Sequence, residues 1–459
     1  MPLIVSISGI RGVFGDGLSP DTLVTYASAY GAWLRSRTDH PPTVVVGRDG
    51  RVTGEICSRL VTATLQAAGC HVVDAGLATT PTVEMGVLQA EADGGIILSA
   101  SHNPAEWNAL KLLNARGEFL SAEAGQAVID RAESGDDFTV AYDRIGTYRT
   151  ADFLDYHIEQ ILALPYIDPE VIAARGFSVV VDGINSVGGI ALPALLSALG
   201  VEDVHVVNGE PTGHFAHPAE PLPEHLTETT RLVAERGADL GLVVDPDADR
   251  LALIADGGTF FGEERTQVVT ADFLMRRQPG PFATNLSSSR LIEDVMARYD
   301  QPVHRSAVGE VNVVEAMRAH GAVLGGEGNG GVILPALHYG RDALAGAAMV
   351  LQFLAETGQP LSELGATYPS YHISKNKLPL ETERGTLDAK ALLAGLAKRY
   401  AGGRISTVDG VKIDLDEGWV HLRTSNTEPI LRIYTEARTR DEAEALAERF
   451  KRELLEAGV

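Results

Sequence analysis

Short β-rich apolar runs punctuate the chain, each ending in a glycine-rich or polar turn and followed by sequence with helical spacing. Thr43–Val46 leads into GRDGR, Gly95–Leu98 into SASHNP, Ser178–Val181 into DGINSVGG, Leu242–Val244 into DPDADR and Ala322–Leu324 into GGEGNGG. Runs bounded this way predict α/β units around a mostly parallel or mixed sheet. In such sheets ligands gather beyond the carboxyl ends of the strands, where these turns would fall. Pro104 suits the first turn of a helix, so Ser101 is expected at a strand-to-helix turn. The texture changes near the C-terminus. Strands are expected around Gly410–Ile413, Val420–Arg423 and Leu431–Glu436, then an amphipathic helix over Arg440–Glu456.

A chain of 459 residues is too long for one ordinary core. Boundary signals lie near 148–153, 256–258 and 368–375. The longest apolar stretch, Ala345–Ala355, is interrupted by Gln352 and falls short of the roughly 18–20 residues that cross a bilayer. The N-terminus carries neither a basic region nor a long apolar core, so a cytoplasmic protein with no membrane partner is expected. Cys57 and Cys70 fit no zinc spacing and are expected as reduced, partly buried thiols. A net charge of −24, from 38 basic and 62 acidic residues, argues against nucleic acid as a partner. A small phosphorylated ligand then needs a locally basic site.

Four stretches carry chemistry. In DPDADR, Asp245, Asp247 and Asp249 alternate, and Pro246 stops a regular helix from running through them. In an extended loop, residues two apart point the same way, so three carboxylates converge, and an oxygen-only set suits Mg²⁺. Arg250 adds a cation beside them. RTSNTEP, with Arg432 beyond, gathers hydroxyls, an amide and two guanidinium groups in the composition of a phosphate cradle. GGEGNGG surrounds Glu327 and Asn329 with glycines that let a ligand come close, and a carboxylate with an amide can read sugar hydroxyls. At SASHNP, a serine near the positive end of a helix favours phosphate. No G-x-S-x-G surrounds Ser101, and His102 is poorly placed as a base for its own neighbour. Each stretch alone has a plainer reading: a solvated acidic turn, a polar turn between strands, a flexible glycine loop and a helix cap.

Together and in order, these stretches resemble the α-D-phosphohexomutases over essentially the whole chain. SGIRG at Ser8–Gly12 and GRDGR at Gly47–Arg51 belong to the same likeness. The resemblance implies four domains around a central cleft, three of related α/β topology with mixed sheets and a distinct C-terminal α+β domain. With the boundary signals above, these are 1–150, 151–256, 257–370 and 371–459. It implies a phosphoserine at Ser101, Mg²⁺ held by Ser101, Asp245, Asp247 and Asp249, and a hexose 1,6-bisphosphate that activates the enzyme and turns over within the cleft. Arg11, His102, Lys111 and Arg250 complete the implied catalytic set, with Lys111 taking part in proton movement. Glu327 and Asn329 would bind the sugar, and Arg423, Ser425, Asn426, Thr427 and Arg432 the phosphate that is not reacting. Three aspartates contribute about −3 and a phosphoserine about −1.5 to −2, so one Mg²⁺ leaves roughly −3 for Arg11, Lys111 and Arg250 to balance.

The sugar loop departs from the GEMSGH or GEQSGH of many bacterial members. Asn329 stands at their serine position and Gly331 at their histidine position, a pattern similar to the archaeal-type branch often assigned as phosphoglucosamine mutases. The expected function is therefore phosphoglucosamine mutase, with phosphoglucomutase or phosphomannomutase as the alternative. A Mg²⁺-dependent sugar phosphatase and a non-catalytic sugar-phosphate sensor are more remote. The sequence is compatible with a monomer or a homodimer.

Overall fold

The structure is a computed structural model that describes residues 3–6, 9–382, 385–425 and 429–457. Two compact units emerge, Met1–Arg277 with Asn329–Gly365, and Gln278–Gly328 with Ala366–Val459.

The first unit contains two mixed sheets. In the larger, Thr43–Arg48 lies parallel between His71–Leu77 and Gly94–Leu98, and Trp107–Asn114 then runs antiparallel between Gly94–Leu98 and Gly9–Phe14. Its apolar runs are continuous because both faces are covered. Val44 and Val46 pack with Leu23, Tyr30, Val61 and Leu65 on one side, while Val45 and Ile97 meet Val83, Val87 and Phe153 on the other. Cys57 and Cys70 lie wholly inside this core rather than partly buried, and burial pushes both thiols up to about 12.

The helix expected after Pro104 is absent, and the chain enters the strand Trp107–Asn114 instead. That segment satisfies its backbone against strands on both sides, so sheet pairing overrides the local proline signal. Ser101 therefore sits in a strand-to-strand loop. In the second sheet Ser178–Asp182 lies parallel between Asp203–Val207 and Leu240–Val244. Leu240–Val244 then turns back antiparallel into Leu251–Ala255, with DPDADR as the connection, and Thr259–Phe260 adds an edge.

The helix Ala343–Thr357 is buried along most of its length within this unit. Its apolar composition reflects a helix enclosed in protein, and among the described residues no helix is long and apolar enough to cross a membrane. Asp342 caps it, accepting from Leu344 N–H at 2.8 Å and Ala345 N–H at 3.0 Å. The other oxygen of Asp342 lies 2.8 Å from His157 Nε2 and 3.2 Å from His338 Nε2. His338 Nδ1 is 3.1 Å from Glu84, and His157 Nδ1 is 3.0 Å from the Thr82 hydroxyl. This buried chain ties three helices to the loop 338–342. Burial works against a charged imidazole, but Asp342 and Glu84 outweigh it and push His338 up to about 10.

In the second unit, Phe282–Asn285 lies parallel between Val303–Ser306 and Leu324–Glu327. That last strand takes in the first glycines of GGEGNGG, so the loop is shorter than the sequence suggests. The unit's largest sheet is antiparallel, ordered His372–Pro379, Ile430–Ala437, Gly418–Thr424, Val411–Asp414, Arg404–Ser406. Leu422, Leu431 and Ile433 cover one face together with Leu446, Phe450 and Leu454 of the helix Arg440–Ala457. The other face carries charge.

Replacing His338 by Leu leaves Glu84 and Asp342 buried without their shared cation, and should cost about 3–5 kcal/mol in urea unfolding near neutral pH. The folded-state pKa of His338 is raised, so its contribution is complete below about pH 6.5. It is lost as pH rises toward about 10. The gap between wild type and His338→Leu should narrow over that range, and a constant gap contradicts the ion-paired reading.

Candidate active site

The loop carrying Ser101 is held from behind by a guanidinium. Arg51, almost completely buried, donates Nη2 to the carbonyls of Ser101 and Asn103 at 2.6 and 2.7 Å. Its Nη1 reaches the carbonyls of Pro104 and Trp107 at 2.5 and 3.0 Å, and its Nε donates to Asp49 at 3.0 Å. Four carbonyls facing one cation fix the path of a loop that has no helix to shape it. Ser101 has a φ of +49°, left-handed and uncommon outside glycine, and its N–H donates to Ser99 Oγ at 2.9 Å. Its hydroxyl is thereby aimed at Asp245, to which it donates at 2.6 Å.

Asp245, Asp247 and Asp249 are wholly buried, with ligand oxygens all within 4.8 Å of one another. They converge by a different route from the expected extended loop. The connection is a tight turn in which Ala248 adopts a φ of +52° and its N–H bonds the Asp245 carbonyl at 2.9 Å. Asp247 Oδ2 accepts from Lys111 Nζ at 2.5 Å and from Thr80 Oγ1 at 2.7 Å. Asp249 Oδ2 accepts from Arg341 Nη2 at 2.6 Å, and Asp245 Oδ1 from the Arg250 N–H at 3.2 Å. The Arg250 Nε stands 3.9 Å from Asp245 and 3.8 Å from Asp249.

Burial, then the charges of Asp249 and Asp247, push the Asp245 carboxyl well above its ordinary range. Burial acts the same way on Asp247, but Lys111 outweighs it and holds that group low. Lys111 is kept an ammonium, since Asp247 and Asp249 outweigh the effect of burial. Arg250 above all, then burial, Arg341 and Arg11, hold His102 well below the usual histidine range, so its imidazole is neutral. Burial and the neighbouring Arg250 and Arg341 lower Arg11, which places those guanidinium groups together.

The expected sugar loop is divided between the two units. Glu327 ends its strand and accepts from Asn285 Nδ2 at 2.9 Å and Gly309 N–H at 3.3 Å. Asn329, in the other unit, accepts from Gly331 N–H at 3.1 Å. On the charged face of the antiparallel sheet, Arg423 stands opposite Arg432 and Arg432 opposite Lys377. Like charges directly across strands destabilise a sheet unless an anion offsets them. Ser425 Oγ is 3.5 Å from Arg432 Nη2, and Arg423 reaches Asp409 only at 3.9 Å. Asn426 and Thr427 lie outside the described residues.

Sequence reasoning misses Thr80, Arg341 and Lys377, and GRDGR alone gives Arg51 no role. Thr80 follows Thr79, which caps its helix, and TTPT reads as a helix start with no chemical signal. Lys377 depends on register across three strands, which no local pattern fixes. Arg341 was detectable only as an arginine beside the Asp342 cap.

Known proteins match the chain along most of its length. Phosphoglucomutase/phosphomannomutase alpha/beta/alpha domains I, II and III match residues 3–138, 155–258 and 263–371, and the C-terminal domain of that family matches 379–453. The chain belongs to the phosphoglucomutase/phosphomannomutase family. A phosphoglucomutase/phosphomannomutase of Thermococcus kodakarensis is 37% identical over 98% of this chain and 96% of its own. A relative in Methanopyrus kandleri, named "probable phosphoglucosamine mutase", is 36% identical over 96% of each. The crystal structure of a phosphoglucomutase/phosphomannomutase family protein from Burkholderia thailandensis superposes with a TM-score of 0.85 at 26% identity, covering 99% of this chain and 98% of that one. The enzyme is a phosphohexomutase, an isomerase of the four-domain α/β fold expected from its sequence.

Arg51→Lys keeps a cation beside Asp49 but cannot span four carbonyls. Loss of the Ser101 loop's position should lower kcat about 100-fold with little change in KM. Steady-state kinetics check this, and an unchanged kcat contradicts the role given to Arg51.

Proposed function

We propose that the enzyme interconverts 6-phospho and 1-phospho hexoses through a phosphoserine at Ser101 and a 1,6-bisphosphate intermediate, and that its preferred substrate is a glucosamine phosphate. The observation that carries this reading is the Ser101 hydroxyl bonded to Asp245 beside two buried carboxylate oxygens, Asp247 Oδ1 and Asp249 Oδ1, that lack hydrogen-bond partners. Orphaned carboxylate oxygens in a dry site are costly, and an all-oxygen set of this kind fits a hard divalent cation. Mg²⁺ held by Asp245, Asp247 and Asp249, with an oxygen of the Ser101 group, would neutralise charge on the phosphoryl oxygens.

The chain's own residues supply the rest. Arg51 and Ser99 fix the loop, so the Ser101 oxygen is already aimed. On transfer, the bond between phosphorus and Ser101 Oγ breaks as the bond to a sugar hydroxyl oxygen forms. The proton lost by that hydroxyl is balanced by one gained at Oγ, and the Lys111 ammonium, held by Asp247, would deliver and then recover it. The other phosphate of the bisphosphate returns to Ser101 by the same exchange in reverse, and a hexose 1,6-bisphosphate primes unphosphorylated enzyme. Arg423, Arg432 and Lys377, with Ser425, Asn426 and Thr427, hold the phosphate that is not reacting, while Glu327 and Asn329 read sugar hydroxyls. Working limits for the domains are 1–150, 151–256, 257–370 and 371–459, and the working compartment is the cytoplasm.

The glucosamine preference is supported by Asn329 and Gly331 in the sugar loop and by the relatives named for that reaction. Glucose or mannose phosphate is the second reading, favoured by the Thermococcus kodakarensis relative's name. ³¹P NMR with Mg²⁺ and a trace of hexose 1,6-bisphosphate separates them when glucosamine 6-phosphate, glucose 1-phosphate and mannose 1-phosphate are offered in turn. Fastest interconversion of the glucosamine ester is expected. Faster glucose or mannose turnover overturns the substrate assignment alone, and accumulation of inorganic phosphate in place of isomerised ester contradicts the transfer route.

A further inference from the structure

We propose that Arg341 is a catalytic cation that grips the transferring phosphoryl group, and that residue 331 is glycine so that Arg341 can reach it. The proposal rests on the phosphoserine reading of Ser101. A Cβ on Gly331 would lie 2.3 Å from Arg341 Cδ and 2.9 Å from Cγ, far inside van der Waals contact. Gly331 does not adopt a left-handed backbone, so its conformation does not require glycine. Space is the requirement.

The crowding atoms are in the middle of the Arg341 side chain, whose two ends are both fixed. Its head is pinned 2.6 Å from Asp249, and its backbone lies between the bridge that pairs it with Ile333 and the Asp342 helix cap. Asp342 is itself locked by His157 and His338. A side chain at 331 would therefore displace the guanidinium from the site rather than merely nudge it.

What that guanidinium does follows from its neighbours. The side chains of Lys111 and Arg341 serve Asp247 and Asp249, while Arg250 gives Asp245 its backbone N–H and holds its Nε 3.9 Å away. Arg11 stands close enough to Arg250 and Arg341 to feel both charges. Arg11, Lys111, Arg250 and Arg341 gather four positive charges around three aspartates beside the Ser101 loop. The planar fork of a guanidinium matches phosphoryl oxygens. A phosphoryl group on Ser101 is the anion that fits this arrangement.

The test is a double-mutant cycle with Arg341→Met, Gly331→Ala and the pair. Arg341→Met should lower kcat by about 100-fold or more with KM for the sugar phosphate little changed. Gly331→Ala should lower it comparably, and the double variant should be no slower than Arg341→Met alone. Arg341→Lys keeps a charge and should fall between Arg341→Met and wild type, with melting curves confirming that each variant is folded. Independently of turnover, ³¹P NMR of the phosphoenzyme should show the phosphoserine's second ionisation at higher pH in Arg341→Met than in wild type. Losses that multiply in the double variant, or an unchanged kcat and phosphoserine titration in folded Arg341→Met, overturn the proposal. Absence of any phosphoserine resonance in wild type, after exposure to hexose 1,6-bisphosphate, overturns the underlying phosphoserine reading instead.

Discussion

Three carboxylates packed within a few ångströms of one another, out of reach of water, are the constraint on which the catalytic unit depends. Burial pushes Asp245 and Asp247 toward their neutral forms, and mutual repulsion adds to that push on Asp245. The surrounding architecture delivers counter-charge. Lys111 arrives on a strand of the larger sheet, Arg250 follows the acidic turn itself, and Arg341 comes from the loop before a buried helix. The acidic turn is thus compensated by segments far apart in sequence, and its stability is inseparable from the packing that brings them together.

A second consequence is the way precision is distributed. None of the key loops is shaped by a helix running through it. The Ser101 loop hangs on the Arg51 guanidinium, the Asp245–Arg250 turn on a left-handed Ala248, and the Arg341 loop on the His157–Asp342–His338 chain. Arg51 and the histidine–aspartate chain are buried polar devices, where a hydrogen bond or ion pair is worth more than at a surface. In the second unit the arrangement is looser. The row of Arg423, Arg432 and Lys377, the proposed grip on the phosphate that is not reacting, presents positive charge on a sheet face.

Much of this was legible in the sequence because the chemistry is concentrated in short ordered motifs. The strand-and-turn rhythm gave the α/β class, and the C-terminal strands and closing helix fell within a few residues of their observed positions. The carboxylate trio, Ser101, Lys111 and Arg250 stood out through spacing and context. The failures share a cause, which is that local patterns say nothing about long-range pairing. Pro104 favours a helix locally, yet Trp107–Asn114 is claimed by strands on both sides. Alternate aspartates imply an extended loop, yet a hairpin closing Val244 against Leu251 forces a turn that achieves the same convergence. Thr80 and Arg341 carry no local signature at all. Gly331 reads in the sequence as a histidine missing from the sugar loop, and its steric meaning depends on the position of a side chain ten residues on.

The most direct test of the central claim is calorimetric titration of Mg²⁺ into the purified enzyme, with Asp249→Asn as the comparison. If the buried trio exists to hold a divalent cation, wild type should bind one Mg²⁺ per chain and gain thermal stability with its concentration, while Asp249→Asn should bind far more weakly. Wild type that takes up no Mg²⁺, or a variant that binds it as tightly, would contradict the account.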